Sequence, residues 1–166
     1  MSSKPCSGTC CRIRPMSAAD LTRVLEIAAS LPKAPNWPAP VYAAAVEAAG
    51  TPMRVALVAE QTSNRGGHGS PVVAFAIASL VPPEAELETI AVFPEVQRQG
   101  VGRQLLAALI AELAGKQVKS LILEVRESNG TARNFYQAGG FAETARRRRY
   151  YADPEEDAIL MELKWS

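Results

Sequence analysis

The sequence predicts a single α/β (α+β) domain in which a mixed, mostly antiparallel central sheet carries helices on both faces. Two β-rich runs, at 53–60 and 71–80, are joined by a Gly-rich loop and so predict an antiparallel hairpin. A strand, a helix and a second strand follow between 86 and 125, which adds a parallel pair. With 166 residues, 48% of them hydrophobic, the chain is long enough to bury a self-sufficient core.

The N-terminal third predicts one strand and two helices. Residues 12–16 form a short β-rich run, and Ser17 with Asp20 three residues later is the capping-box signal that opens a helix. Four prolines between 32 and 40 fix φ and remove backbone donors, so this segment is predicted to be a loop. A second short helix is expected at 41–49, before the hairpin.

The C-terminal half alternates strands and helices. After a strand at 86–92, an apolar stripe at helical spacing predicts a helix that ends at Gly115. A further strand is expected at 120–125, followed by a helix capped by Asn129. The last two elements are a closing antiparallel pair at 141–151 and 157–165.

Composition excludes several classes of protein. Eighteen basic and 17 acidic residues leave a net charge of +1, which provides no broad basic field for nucleic acid. The chain has no apolar run long enough to cross a membrane, and its first ten residues lack the apolar centre of a secretory signal. We therefore expect a cytoplasmic protein that binds neither a membrane nor nucleic acid directly.

The cysteines cluster near the N-terminus. Cys6, Cys10 and Cys11 lie in a small polar segment that we interpret as a flexible leader at 1–11, ahead of the domain at 12–166. An odd number of thiols in a reducing compartment does not favour a disulfide scaffold. The only histidine, His68, lies in the Gly-rich loop without ligands at metal-binding spacing, so no metal site is expected.

Two glycines stand at the junction of a predicted strand and helix in QRQGVGRQLL. The dinucleotide fingerprint requires a third glycine where this chain has Leu105, and the nucleoside-triphosphate loop requires a Gly-Lys-Ser/Thr ending that is absent. Glycines at a helix N-terminus can still bring backbone N–H groups close to an anion, and Arg98 and Arg103 add charge. On Gly100 and Gly102 alone, a tight structural turn remains the alternative.

The flanking sequence carries a resemblance. The segment LETIAVFPEVQRQGVGRQLL resembles the acetyl-CoA-binding segment of the GNAT superfamily of N-acetyltransferases, in which Gln/Arg, two residues, Gly, one residue and Gly/Ala open a helix; Gln97, Gly100 and Gly102 fill this pattern. LILEVRESNGTARNFYQAGGF is similar to the next family segment. RRRRYY with EDAILMEL is similar to the closing strands of the RimI branch, which acetylates the N-terminal alanine of ribosomal proteins. The resemblance runs from about Ile13 to Leu163.

The resemblance implies acetyl-CoA as cosubstrate and assigns residues to it. The strand ending at Val92 would splay from the next strand and offer backbone groups to the pantetheine arm, while the glycine turn would cradle the pyrophosphate. The cofactor-binding residues implied are Ile90, Ala91, Val92, Arg98, Gln99, Gly100, Val101, Gly102, Arg103 and Asn129.

Two residues would carry the chemistry. Glu124 lies in an apolar strand, where desolvation favours the protonated carboxyl and suits a proton acceptor, and the RimI-like pattern makes it the base. Its alternative is a sheet-edge glutamate paired with an arginine. Tyr136 matches the tyrosine that protonates the departing thiolate in the family. The alternative is an aromatic that only packs the core, a role that we assign to Phe135.

The acceptor is less closely defined. The resemblance implies the N-terminal amine of a ribosomal protein, with Trp37, Tyr150 and Tyr151 lining the peptide site. Trp37, however, stands in PNWP where the family has FPW, which leaves a small-molecule amine or a protein lysine as the alternative acceptor. A third interpretation is a cofactor-binding regulator or RNA-associated module that uses the run 146–149; alternate strand faces and the low net charge argue against it.

Overall fold

The computed structural model describes residues 8–35, 37–47, 52–62 and 69–165. It contains the eleven predicted elements in the predicted order. The strands are β1 (Cys11–Pro15), β2 (Met53–Gln61), β3 (Val72–Val81), β4 (Glu84–Val92), β5 (Ser120–Arg126), β6 (Ala142–Tyr151) and β7 (Glu156–Lys164). The helices are α1 (Leu21–Ala29), α2 (Ala39–Ala45), α3 (Val101–Ala114) and α4 (Gly130–Ala138).

The strands form one sheet in the order β1-β2-β3-β4-β5-β7-β6. Every neighbouring pair is antiparallel except β4 and β5, which are parallel. Successive side chains of a strand point to opposite faces, and β3 is buried along most of its length, so it supplies a core on each face. One core layer contains α3 and the apolar side of α4, and the other contains α1 and α2. The predicted mixed sheet with helices on both faces is confirmed.

Helix α3 packs across the central strands of the sheet. Its predicted stripe is largely buried, with Leu105, Leu109 and Leu113 fully enclosed against β2, β3 and β4. Burying a leucine side chain stabilises the fold by roughly 1.5–3 kcal/mol, so this stripe holds the helix firmly on the sheet. The start of α3 is thereby placed at the end of β4.

Strands β4 and β5 separate soon after they meet. Their register contains three pairs, from Glu84 opposite Ser120 to Glu86 opposite Ile122. Two residues later Glu88 is an extra residue in the pairing of β4 with β3, because Ile77 faces Thr89 while Ala78 faces Leu87. A bulge of this kind bends a strand and increases its twist. The splay implied by the resemblance is therefore present, and it opens a slot between the two strands.

Two element boundaries differ from those predicted. Helix α2 begins at Ala39, because Pro38 serves as its N-cap and Pro40 lies in the first turn, where a backbone N–H is not needed. The last residues of the predicted helix, 48–49, lie outside the described part of the chain. Strand β1 begins at Cys11, one residue before the expected domain boundary.

Parts of two predicted features lie outside the described residues. They are the first seven residues of the leader, with Cys6, and the hairpin tip at 63–68, with His68. Within the described ranges, no helix is long and apolar enough to cross a membrane.

A buried carboxylate ties α1 to the first two strands. The Asp20 oxygens accept hydrogen bonds from Arg14 Nη1 and Nη2, each at 2.8 Å, and from the Ser17 backbone N–H at 2.8 Å. The same arginine donates from Nε to Glu60 on β2 at 2.7 Å. The hydrogen bonds from Arg14 are the main reason that the pKa of Asp20 is lowered to about 2. The ionised form of Asp20 therefore stabilises the folded state.

Replacing this carboxylate tests its contribution to stability. Because the folded pKa lies below the unfolded value, the stabilisation is complete above about pH 4 and is lost as the pH falls through about 2. We expect Asp20→Asn to lower the free energy of unfolding by about 2 kcal/mol at pH 7 and by about half of that at pH 3. Urea unfolding at both pH values measures the difference. The exposed Glu112→Gln is the control, and an equal loss at both pH values would contradict the assignment.

Candidate active site

The turn between β4 and α3 presents a row of backbone donors. Arg98 and Gly100 both adopt left-handed backbone, with φ of 62° and 83°. Among the described residues, none accepts a hydrogen bond from the backbone N–H groups of Arg98 to Arg103. Such a concave run of N–H groups at a helix N-terminus binds anions, because the amides and the helix dipole both favour negative charge. We call residues 98–103 the phosphate turn.

Gly102 allows close packing at the start of α3. A Cβ atom on this residue would lie 3.3 Å from the Phe135 ring of α4 and 3.5 Å from Val92 of β4. A crevice of about 150 Å³ continues from this contact between α3 and α4. It is lined by Arg103, Leu106, Phe135, Ala138 and Gly139. The sequence pattern located the glycine, whereas the crevice depends on the packing of two helices.

Positive charge lies beside the turn. Arg98 and Arg103 are exposed at its entrance, and neither forms an ion pair with a described carboxylate. Gln97, the first residue of the pattern, donates from Nε2 to the Val92 carbonyl at 3.0 Å and so ties the turn to the end of β4. The turn, its glycines and its arginines therefore form one anion-binding corner.

The exposed edge of β4 faces the slot. Ile90, Ala91 and Val92 pair with β3 on one side, while the β5 register ends at Glu86 on the other. Backbone groups beyond that point lack a strand partner in β5, so they can bond an extended polar ligand. This arrangement suits an amide-containing chain that leads from the slot towards the phosphate turn.

Asn129 serves first as a helix cap. Its Oδ1 accepts a hydrogen bond from the Ala132 backbone N–H at 3.3 Å, which confirms the predicted N-cap of α4. The side-chain NH₂ makes no hydrogen bond to a described residue. A cofactor contact through that group is compatible with the cap.

Glu124 lies on the opposite face of β5 from α3. Its neighbours Leu123 and Val125 are buried in the α3 core layer, so strand alternation directs Glu124 to the other face. The carboxylate is 18% exposed and lies 3.3 Å from Arg147 Nη1 on β6. The expected alternative of an arginine partner is therefore present. The arginine is itself 55% exposed, and ion pairs of this kind are weak enough to exchange partners.

Other ionisable groups surround Glu124. The pKa of Tyr150 is raised by its hydrogen bond to the Glu124 carboxylate and by that carboxylate's charge. Partial burial raises the pKa of Glu86, and the charges of Glu124 and Glu88 raise it further. Acidic side chains of β4 and β5 therefore share the open side of the slot, and Arg147 offsets part of their charge.

Tyr136 of α4 lies on the face of the sheet that α3 covers, opposite to the face of Glu124. Its ring packs edge-on against Phe135 and Phe141, with centroid separations of 5.3 and 5.6 Å, in the core layer of α3. Burial raises the pKa of Tyr136, so the phenol keeps its proton at neutral pH. Its hydroxyl donates to no described residue. Both Phe135 and Tyr136 pack against the core, so assigning the packing role to Phe135 alone was too simple.

The three predicted acceptor-site aromatics lie in different places. Trp37 packs against Tyr42, with ring centroids 5.3 Å apart, at the margin of the core layer that contains α1 and α2. Tyr150 lies beside Glu124 and stacks edge-on with Tyr151 at 5.1 Å. Arg126 lies 4.1 Å above the Tyr151 ring. The structure therefore places Tyr150, with Tyr151 packed against it, beside the carboxylate.

Most of the arginine run on β6 is paired. Arg146 bonds Glu127 and Asp157, at 2.7 and 3.0 Å, and Arg149 lies 3.0 Å from Glu155. With Arg147 on Glu124, three of the four arginines face carboxylates. Nearby carboxylates therefore balance most of the positive charge of the run.

Sequence reasoning missed several residues of the site. Glu86 was not singled out, and Arg147 was considered only as a member of the run 146–149, without Glu124 as its partner. Gln104 was also missed, four residues after Gly100 and hence one helical turn away. Glu124, the partner of Arg147, lies on another strand, and Thr9, one partner of Gln104, lies about 95 positions away in the sequence, so local patterns did not reveal these contacts.

Comparison with known proteins identifies the family. The model of the acetyltransferase (GNAT) family matches residues 23–141. The [ribosomal protein bS18]-alanine N-acetyltransferase of Escherichia coli (strain K12) is 51% identical over 94 residues, which is 55% of this chain. The chain spans 64% of the length of that curated relative in the alignment.

Solved structures extend the similarity over nearly the whole chain. The crystal structure of the ribosomal-protein-S18-alanine N-acetyltransferase from Escherichia coli superposes with a TM-score of 0.78 at 38% identity, covering 95% of each chain. Arabidopsis thaliana NAA60 in complex with acetyl-CoA has a TM-score of 0.82, covers 94% of this chain and all of that one, and shares 18% identity, which shows the fold alone. From the family match and these superpositions, the chain belongs to the acetyltransferase (GNAT) family.

Proposed function

We propose that this protein transfers the acetyl group of acetyl-CoA to the N-terminal amine of a protein, and that the acceptor is a ribosomal protein. The observation that carries the proposal is the slot that opens between β4 and β5. Glu124 lies on β5 with its side chain away from the α3 layer, and Tyr136 packs in the α3 layer on the other face of the sheet. An acyl donor that enters from the phosphate turn and an amine that enters from the Glu124 side meet there.

The chain's own groups fit acetyl-CoA. The pyrophosphate suits the unpaired N–H groups of the phosphate turn and the charges of Arg98 and Arg103. The pantetheine amides suit the free edge of β4, and the crevice between α3 and α4 offers apolar contact beside the turn. Acetyl-CoA supplies the acetyl group as a thioester, and no metal is required.

Glu124 acts on the amine. An α-amino group with a pKa near 8 is neutral in about a tenth of molecules at pH 7, whereas lysine near 10.4 is neutral in far fewer. Glu124 takes the proton from the amine nitrogen, directly or through one water, as nitrogen bonds to the acetyl carbon. An N-terminal acceptor therefore needs less help from the base than a lysine does.

Tyr136 acts on the sulfur. As the carbon–sulfur bond breaks, the phenol donates its proton to the departing thiolate, so the products are the N-acetyl group and free CoA thiol. Burial keeps this proton on Tyr136 at neutral pH. The transfer is direct, and it does not use the free thiols of Cys10 and Cys11. These thiols suit a cytoplasmic enzyme.

The ribosomal acceptor rests on the relatives. The Escherichia coli proteins of the two comparisons are named for the alanine of ribosomal protein bS18 or S18. The tyrosine pair beside Glu124 provides an aromatic wall for a peptide, while Trp37 lies in the core layer. A small-molecule amine or a protein lysine is the competing acceptor.

Acceptor choice can be measured directly. The protein, acetyl-CoA and peptides with a free N-terminus are incubated beside N-terminally blocked peptides that contain lysine, and the acetyl group is located by mass spectrometry. We expect the modification on the α-amine of the free peptides, because that amine is more often neutral at pH 7. Modification of lysine alone, or turnover confined to small amines, would reverse the assignment.

Substitution of the proposed base and acid tests the chemistry. We expect Glu124→Gln and Tyr136→Phe each to lower kcat about 10²-fold or more, with little change in the KM for acetyl-CoA, because each removes a proton-transfer group. Release of free thiol measures the rate. Glu155→Gln and Tyr42→Phe are matched controls that remove a surface carboxylate and a core hydroxyl. Unaltered turnover in either test variant would remove that residue from the mechanism.

Gly102 tests the approach of the cofactor to the turn. We expect Gly102→Ala to weaken CoA binding about tenfold, or about 1.4 kcal/mol, because the new methyl group would press on the Phe135 ring and displace the start of α3, which carries the phosphate turn. Gly130→Ala is the matched control, since a Cβ at the start of α4 meets nothing within 4 Å. Calorimetric titration with CoA compares them. Equal affinities would show that the close packing at Gly102 has no part in binding.

A further inference from the structure

A short segment ahead of β1 lies across the phosphate turn. We call Gly8–Cys10 the strap. The Thr9 backbone N–H donates to the Gln99 carbonyl at 3.2 Å, and the Thr9 hydroxyl donates to the Gln99 side-chain oxygen. In return, Gln104 Nε2 donates to the Thr9 carbonyl at 3.0 Å. The contact joins residues 90 positions apart and connects the strap, which the proposed function has not used so far, to the phosphate turn.

The strap and Gln104 together occupy two carbonyl groups of the turn. Gln99 O is taken by Thr9, and Gly100 O accepts from the Gln104 backbone N–H at 3.1 Å and from its Nε2 at 3.2 Å. The two hydrogens of the Gln104 amide allow it to serve Thr9 and Gly100 at once. With these carbonyls turned to the protein, the N–H groups of the same peptide units point the other way.

The strap is fixed at both ends. The Cys10 carbonyl accepts from the Thr62 backbone N–H at 3.0 Å and from its hydroxyl at 2.9 Å, and Cys11 begins β1. At the other end, a Cβ on Gly8 would lie 2.7 Å from the Gln99 carbonyl oxygen, a distance at which something must move. Glycine at position 8 therefore permits the strap to lie directly on the turn.

We propose that Gly8, Thr9 and Gln104 are positioning residues that hold the phosphate turn in its donor-outward conformation and so set the affinity for the pyrophosphate of acetyl-CoA. They do not touch the reacting atoms and act through the carbonyl groups of Gln99 and Gly100. This inference rests on the proposed use of acetyl-CoA. It assigns to part of the N-terminal leader a role in binding the donor.

Kinetics with two acyl donors test the proposal. Gln104→Met removes the bridging amide and keeps a good helix former, and Thr9→Pro removes the donor N–H. We expect each to raise the KM for acetyl-CoA about three- to tenfold, as loss of one or two hydrogen bonds would, with kcat unchanged. With S-acetylpantetheine, which lacks the pyrophosphate, kcat/KM should equal that of the unaltered protein.

A matched control variant and a check of folding complete the kinetic design. Glu112→Met introduces the same side chain about two turns further along α3, at an exposed position, and should change neither donor's kinetics. Thermal unfolding shows whether each variant folds. A KM for acetyl-CoA that does not change, or an equal loss with both donors, would overturn the proposal, because a merely structural role affects both.

The proposed function can fail separately. If the unaltered protein transferred no acetyl group from acetyl-CoA, calorimetric titration with CoA would still compare the unaltered protein with Gln104→Met. Weaker binding by the variant would support the strap without the transferase assignment. Equal binding, or none by either protein, would overturn it.

Discussion

The early separation of β4 and β5 is the constraint on which the rest of the molecule depends. Three residue pairs hold the strands together, and beyond Glu86 one edge of β4 has no strand beside it. A free edge inside a sheet leaves backbone groups unpaired, which a protein tolerates where a ligand replaces the missing strand. The bulge at Glu88 and its ion pair with Arg54 of β2, at 2.8 Å, lie where the strands diverge. The gap also connects the two faces of the sheet, which is what the proposed use of Glu124 and Tyr136 in one reaction requires.

The phosphate turn also leaves backbone groups unpaired where a ligand can bind them. Left-handed φ at Arg98, which is not glycine, costs about 1–2 kcal/mol, and unpaired N–H groups add a cost wherever water is excluded. Packing of α3 fixes one end of the turn, Gln97 fixes the other to Val92, and the carbonyl bonds around Gln99 and Gly100 hold its centre. The turn thus keeps donors available without a bound anion, which reduces the reorganisation that binding requires.

The sequence predicted what is local and missed what is distant. The order of elements, the Asn129 cap and the α3 stripe follow from spacing within a few residues, and the structure contains each of them. The start of α2 was misplaced because Pro40 is compatible with a first helical turn as well as with a loop. The pairing of Glu124 with Arg147 depends on the spatial order of the strands, because β7 lies between β5 and β6. The contact of Thr9 with Gln99 likewise depends on the position of β1 in the sheet.

Although the net charge is only +1, positive and negative side chains lie in separate parts of the site. Arg98 and Arg103 leave the phosphate turn positive, whereas Glu86, Glu88 and Glu124 gather at the open side of the slot. In the proposed reaction, this distribution would draw the anionic donor and the cationic amine to opposite ends of the slot, which would order the two reactants before they meet. Arg147 has a particular place in this arrangement, because its guanidinium lies 3.3 Å from the Glu124 carboxylate. An ammonium group of the proposed acceptor would compete with that guanidinium for the same oxygens. A cation would then face the partly buried carboxylate both before and after the acceptor binds, which offsets the cost of burying the carboxylate.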